Sequence, residues 1–127
     1  MSRPKKNAFI RMTALLILAL SVALALPACG ASAKPTIVIS SPASGTQITE
    51  GQMLTVQSTA TDAKGIIRVD LLVDDKGVHT ENAPSPQKSF QAVQSWKASG
   101  PGKHKISVVA YNKDAAASEF AAIEVVV

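Results

Sequence analysis

Two consecutive stretches decide the fold: Met53-Leu54-Thr55-Val56-Gln57-Ser58-Thr59-Ala60-Thr61, and after four residues Ile66-Ile67-Arg68-Val69-Asp70-Leu71-Leu72-Val73. In the first, Leu54, Val56, Ser58 and Ala60 fall on one parity, with Met53, Thr55, Gln57, Thr59 and Thr61 on the other. That period of two is the mark of a strand with one buried face and one wet face. In the second stretch, the same reading turns Ile67, Val69, Leu71 and Val73 inward. Ile66, Arg68, Asp70 and Leu72 are then directed to solvent.

Working outward, residues 74–77 (Asp-Asp-Lys-Gly) form an expected hairpin turn, with Gly77 supplying the left-handed residue before a returning strand at 78–80. Residues 82–87 contain Pro84 and Pro86 and are expected to be a loop. Phe90, Ala92, Gln94 and Trp96 share one face of the next strand, and Trp96 is the expected aromatic centre of the core. Ser99-Gly100-Pro101-Gly102 turns the chain. Residues 103–111 then alternate with Ile106, Val108 and Ala110 inward, and residues 119–127 with Ile123, Val125 and Val127 inward. Upstream, Thr36-Ile37-Val38-Ile39 opens the series and Pro42 and Gly45 close it. Seven short strands with regular turns predict an all-β, antiparallel β-sandwich over residues 35–127.

The N-terminal segment reads differently. The chain has 127 residues and a formal net charge of +4. Arg3, Lys5, Lys6 and Arg11 supply that excess, because from Cys29 onward nine basic residues face nine acidic ones. A neutral remainder has no net pull on a polyanion, which argues against nucleic-acid binding. After the basic residues, 14–26 is an apolar run interrupted only by Ser21. As a helix it reaches about 20 Å, short of the roughly 30 Å of hydrocarbon that a spanning helix must cross. Residues 1–28 are therefore expected to be a signal-peptide helix, and the rest of the chain is expected to be exported.

Leu26-Pro27-Ala28-Cys29 resembles a bacterial lipobox: Leu26 stands three before the cysteine and Ala28 directly before it, although Pro27 departs from the pattern. Cys29 is the single cysteine, so no internal disulfide is possible, and it stands where a lipid-modified cysteine belongs. Diacylglyceryl and N-acyl chains such as palmitate would anchor the chain to the outer face of the cell membrane through residues 29–34 as a tether. A competing site, Ala31-Ser32-Ala33, would release a soluble chain beginning at Lys34.

Pro35 to Pro42, Gly45, Val69-Asp70-Leu71-Leu72-Val73-Asp74, Trp96, Pro101-Gly102-Lys103-His104 and Val109-Ala110-Tyr111 resemble the bacterial immunoglobulin-like domains of exported and surface proteins. The resemblance covers residues 35–127. It implies a seven-stranded immunoglobulin-like sandwich that serves as a spacer, adhesion or binding module without catalytic residues. No cysteine pair bridges the sheets, so Trp96 and the aliphatic faces must hold them together.

Candidate chemistry is sparse. His79 and His104 are 25 positions apart without a cysteine nearby, and zinc binding would require converging carboxylates. Asp70, Asp74 and Asp75 cluster at a hairpin, and Asp62 and Asp114 lie in other loops, without the alternating spacing of a calcium loop. No metal or cofactor is therefore expected. There is no G-x-S-x-G elbow and no phosphate-binding glycine loop, so no enzyme is expected either. Tyr111 is the one candidate for an exposed contact ring, against a packing role near a loop. The expected protein is a monomeric, lipid-anchored module that binds an extracellular protein or glycan by strand addition or by its loops. The alternative is a secreted carbohydrate-binding accessory module released at Ala33.

Overall fold

The computed structural model describes residues 33–127, and the expected signal peptide, the lipobox residues Leu26, Pro27, Ala28 and Cys29, and most of the tether lie outside them. Among the described residues there is no helix. Six strands follow in order: β1 (Thr36–Ser41), β2 (Thr46–Gln47), β3 (Met53–Val73), β4 (Lys76–Lys97), β5 (Lys103–Asn112) and β6 (Ala121–Val126).

The strands number six rather than seven because two pairs of expected segments run on as single bent strands, leaving five, and the short β2 is an addition that the alternation did not announce. Residues 53–61 of β3 pair with β1 on one side and with residues 89–97 of β4 on the other. Residues 66–73 of β3 pair instead with the first part of β4 and with β5, which pairs with β6. The two-residue β2 joins β6 in parallel. Inward residues of both pairing regions, including Leu54, Val56, Phe90, Ile106 and Val125, belong to one apolar cluster. The hydrogen-bonded sheet thus folds over on itself into two facing layers.

The bends are built from irregular register. Residues 62–65 of β3 bulge out opposite Lys88 alone. Gly65 takes φ +101°, and Asp62 Oδ2 accepts the Lys64 N–H at 2.9 Å. In β4 the residues between Asn82 and Gln87 bulge opposite Ile67 alone, and this is where Pro84 and Pro86 sit. The expected loop is therefore strand. Prolines are tolerated there because β4 pairs with β3 only, so a missing N–H on its outer side breaks no ladder bond.

Those bulges also reverse one expected parity. Ile66 is fully buried, whereas Ile67 is half-buried. A two-residue period cannot see an inserted residue, and one insertion flips the face. At the hairpin, Asp74 and Asp75 take positive φ (48° and 68°) while Gly77 does not. The turn is the two-residue type with both central residues left-handed, and aspartate tolerates that region better than most side chains.

The core's fully buried residues include Ile66, Val69, Leu71, Ile106, Val108 and, unexpectedly, Gln94. Trp96 lies on the expected inward face but is only half-buried, packed against the end of the core rather than at its centre. Gln94 holds the central position two residues earlier. Its Nε2 donates to the Val69 carbonyl at 3.0 Å and to the His79 carbonyl at 3.3 Å, reaching from one layer to the other.

Candidate functional site

The end of the sandwich where β3 turns into β4 and β4 turns into β5 gathers the most concentrated chemistry. The Asp74-Asp75 turn brings one aspartate over the start of β5, and the Asp74 N–H donates to the Lys105 carbonyl at 2.9 Å. Asp74 Oδ1 accepts the Lys105 N–H at 2.9 Å, and Oδ2 lies 2.6 Å from His104 Nδ1. From the other side, Gly100 at φ +83° presents its carbonyl 2.5 Å from His104 Nε2. Its own N–H donates to Glu50 at 3.4 Å.

Both ring nitrogens of His104 therefore face acceptors. Only the doubly protonated imidazolium donates to both, so these contacts favour the charged ring. The Gly100 carbonyl, then the Asp74 carboxylate, raise the His104 pKa from its ordinary value. Reciprocally, the bond from His104 and the Lys105 N–H lower that of Asp74.

His104 also packs against Trp96, with ring centroids 5.3 Å apart and planes tilted by 57°. Beside the two rings opens a shallow cleft of about 220 Å³. Val73 and Val78 give it apolar walls, while Asp74, Lys76 and Ser99 add polar groups. An aromatic face, a cation, a carboxylate and a hydroxyl on one concave surface can bind a partner group by packing and hydrogen bonding. Although an Asp–His pair stands next to a serine, His104 Nε2 is engaged by the Gly100 carbonyl. The atom that would take a proton from a nucleophile is thus committed to holding a loop.

The other sequence candidates do not converge here. His79 is exposed on β4, where its Nδ1 accepts the Ser95 N–H at 3.4 Å. Asp70 pairs with Arg68 at 3.3 Å and accepts the Thr80 hydroxyl at 2.9 Å. Asp114 meets Lys64 at 2.6 Å, which lowers the pKa of the carboxyl and raises that of the amine, and Asp75 meets Lys105 at 2.6 Å. No group of three or more His, Cys, Asp or Glu side chains forms among the described residues. Tyr111 is half-buried beneath Arg68, whose guanidinium carbon lies 4.0 Å from the ring centroid. It sits near the end of β5, some seven residues and about 24 Å from His104 at the strand's start.

Sequence reasoning singled out His104 but missed its partners. Asp74 and Gly100 come from two different turns, and nothing in their spacing announces the meeting.

Among solved structures, the chain is similar to the fibronectin(III)-like modules of CbhA from Clostridium thermocellum. The identity is 33% and the TM-score 0.61, over 74% of this chain and 46% of that one, so this chain spans about half of that length. It is also similar in fold to a PKD domain of an M14-like peptidase from a Thermoplasmatales archaeon (17% identity, TM-score 0.53, 73% of this chain and 91% of that one). A CARDB domain from Pyrococcus furiosus gives 11% identity and a TM-score of 0.52, over 73% and 94% of the two chains. Comparison with curated protein sequences returns no match. The all-β sandwich expected from the alternation, immunoglobulin-like as the resemblance implied, is the fold of the protein, and with the bacterial Ig domain model matching residues 35–108, the chain belongs to that family.

Proposed function

We propose that this is an exported, non-catalytic immunoglobulin-like module, lipid-anchored through Cys29 on the outer face of the cell membrane, that offers the Trp96 cleft to an extracellular protein or glycan. The observation that carries the reading is the cleft itself. It joins a half-buried tryptophan to Lys76, Ser99 and a hydrogen-bonded His104 at the strand ends and turn of one end of the sandwich, where loops of this fold are free to vary for recognition. Family membership supports export, since such domains are typical of surface proteins, and the basic and apolar leader supports it independently.

The test has two arms. Intact mass of the mature protein from membrane and soluble fractions reports the anchor: a membrane-bound chain beginning at a diacylated Cys29, lost in Cys29→Ser, supports it. A soluble chain beginning at Lys34 overturns it in favour of the freely secreted module. For the cleft, the wild type and Trp96→Ser are compared for capture of envelope proteins and retention on insoluble glycans. Equal behaviour of the two rules out the cleft as the contact.

A further inference from the structure

β1 reads Thr-Ile-Val-Ile-Ser-Ser: six residues, three of them β-branched aliphatics, with no charge, glycine or proline inside the strand. Among the described residues it pairs with β3 on one side only. Alternate backbone N–H and C=O groups on its other side therefore meet no strand of the described residues.

The remaining edges are defended. On the far edge of the same layer, the Glu81 carboxylate accepts the Val93 N–H at 2.9 Å, and His79 Nδ1 accepts that of Ser95. The edge formed by the first part of β4 carries Pro84, Pro86 and a bulge, and β6 meets β2 at Val125 and Val126 and the Ser44–Gly45 turn at Glu124. Charges, prolines and bulges are how sheets avoid adding strands, and Thr36 to Ile39 of β1 carry none of the three, the register shift coming only after Ile39. Ile39 lies on the inward parity yet is only half covered, and Val38, on the outer face, is 61% exposed.

The strand is also complementary to itself. Antiparallel pairing about Val38 sets Val38 against its own copy, Ile37 against Ile39 and Thr36 against Ser40, so inward residues meet inward, aliphatic meets aliphatic and hydroxyl meets hydroxyl. Repulsion is absent as well. The outer face of this layer presents Thr55, Gln57, Thr59, Gln91, Val93 and Ser95 and carries charge only at its far end, at Lys97.

From this we infer that β1 is a self-association edge, joining two copies antiparallel around a two-fold axis at Val38 into a continuous layer ordered β4–β3–β1–β1–β3–β4. Such an interface is isologous and closes at two copies. It departs from the monomer expected from the sequence, because alternation does not reveal which strand lies at an open edge. Five residues of pairing on each copy make a small contact, so association in solution is weak and rises with concentration.

The test uses the exported chain carrying Cys29→Ser, which makes it independent of the lipid anchor. Introduced cysteines then report proximity alone. Val38→Cys is expected to form a disulfide-linked dimer at least several-fold faster than Val93→Cys, an equally accessible position on the same face. In sedimentation velocity, the parent is expected to shift toward dimer with concentration up to about 1 mM. Val38→Lys, which sets two ammonium groups face to face, is expected to remain monomeric, and Val93→Lys is expected to follow the parent. Thermal unfolding of both lysine variants verifies the fold. The inference is overturned by a parent that stays monomeric throughout, by equal cross-linking at the two positions, or by a Val38→Lys variant that associates like the parent.

Discussion

Asp74 and His104, thirty positions apart, meet at 2.6 Å across the end of the sandwich, and the imidazole is pinned on its other side by the Gly100 carbonyl. The pair ties the β3–β4 hairpin to the β4–β5 turn beside Trp96. Its stability contribution depends on both groups being charged. With the His104 pKa raised in the fold, its share is complete below the ordinary value of 6.5 and is lost as pH climbs through the elevated one. Because the Asp74 pKa is lowered, that share is complete above 3.8 and is lost as pH falls through the depressed one. The latch is therefore strongest between about pH 4 and 6.5. Thermal unfolding followed by Trp96 emission should show stability declining on the alkaline side. In His104→Gln that decline should flatten, and an unchanged alkaline limb in the variant would refute the assignment.

Gly65 permits the β3 bend. A Cβ at this position would stand 2.7 Å from the Pro86 Cβ, in a backbone at φ +101°. Conformational strain and collision add, so Gly65→Ala is expected to cost more than about 2 kcal/mol. Gly51 at φ +85° has open space around it, and Gly51→Ala should cost only about 1 kcal/mol. Urea unfolding of the two variants side by side measures the difference.

Gln94 places a primary amide in the middle of the core. Its Nε2 donates to two carbonyls, but Oε1 meets no protein donor. Truncation to alanine removes both bonds and leaves a cavity, for an expected loss of about 2–4 kcal/mol. Gln94→Leu fills most of the volume and removes the unmatched acceptor, so its loss should be distinctly smaller. Equal denaturation midpoints for the two variants would contradict this.

Ile66 and Ile67 test the bulge directly. Ile66→Ala, at a fully buried site, is expected to destabilise by about 2–5 kcal/mol, and Ile67→Ala by less than about 1.5 kcal/mol. The strict alternation read from the sequence predicts the reverse order, so one pair of unfolding curves separates the two registers.

Much of the fold was legible because alternation is local. Leu54, Val56, Ala60, Val69, Leu71, Phe90, Ala92, Ile106, Val108, Ala110 and Val125 all face the core as their parity predicts. The turn at 99–102 was readable from its glycines and Pro101. Pro84 and Pro86 misled, because a proline rules out only a ladder bond that is needed, and β4's free side needs none. Of the candidate site, Trp96 and His104 could be singled out as residues, but not as neighbours.

The sequence by itself determined the all-β class of sandwich and most of its buried faces, because side-chain direction in a strand follows from a period of two that each segment carries within itself. Only the tertiary structure decided that Asp74 and Gly100 converge on His104, that Gln94 rather than Trp96 holds the centre, and that β1 lies at a sheet edge among the described residues. Each of those depends on which segments become neighbours, and hydrogen bonding and packing between residues tens of positions apart are set by register and bulges rather than by local pattern.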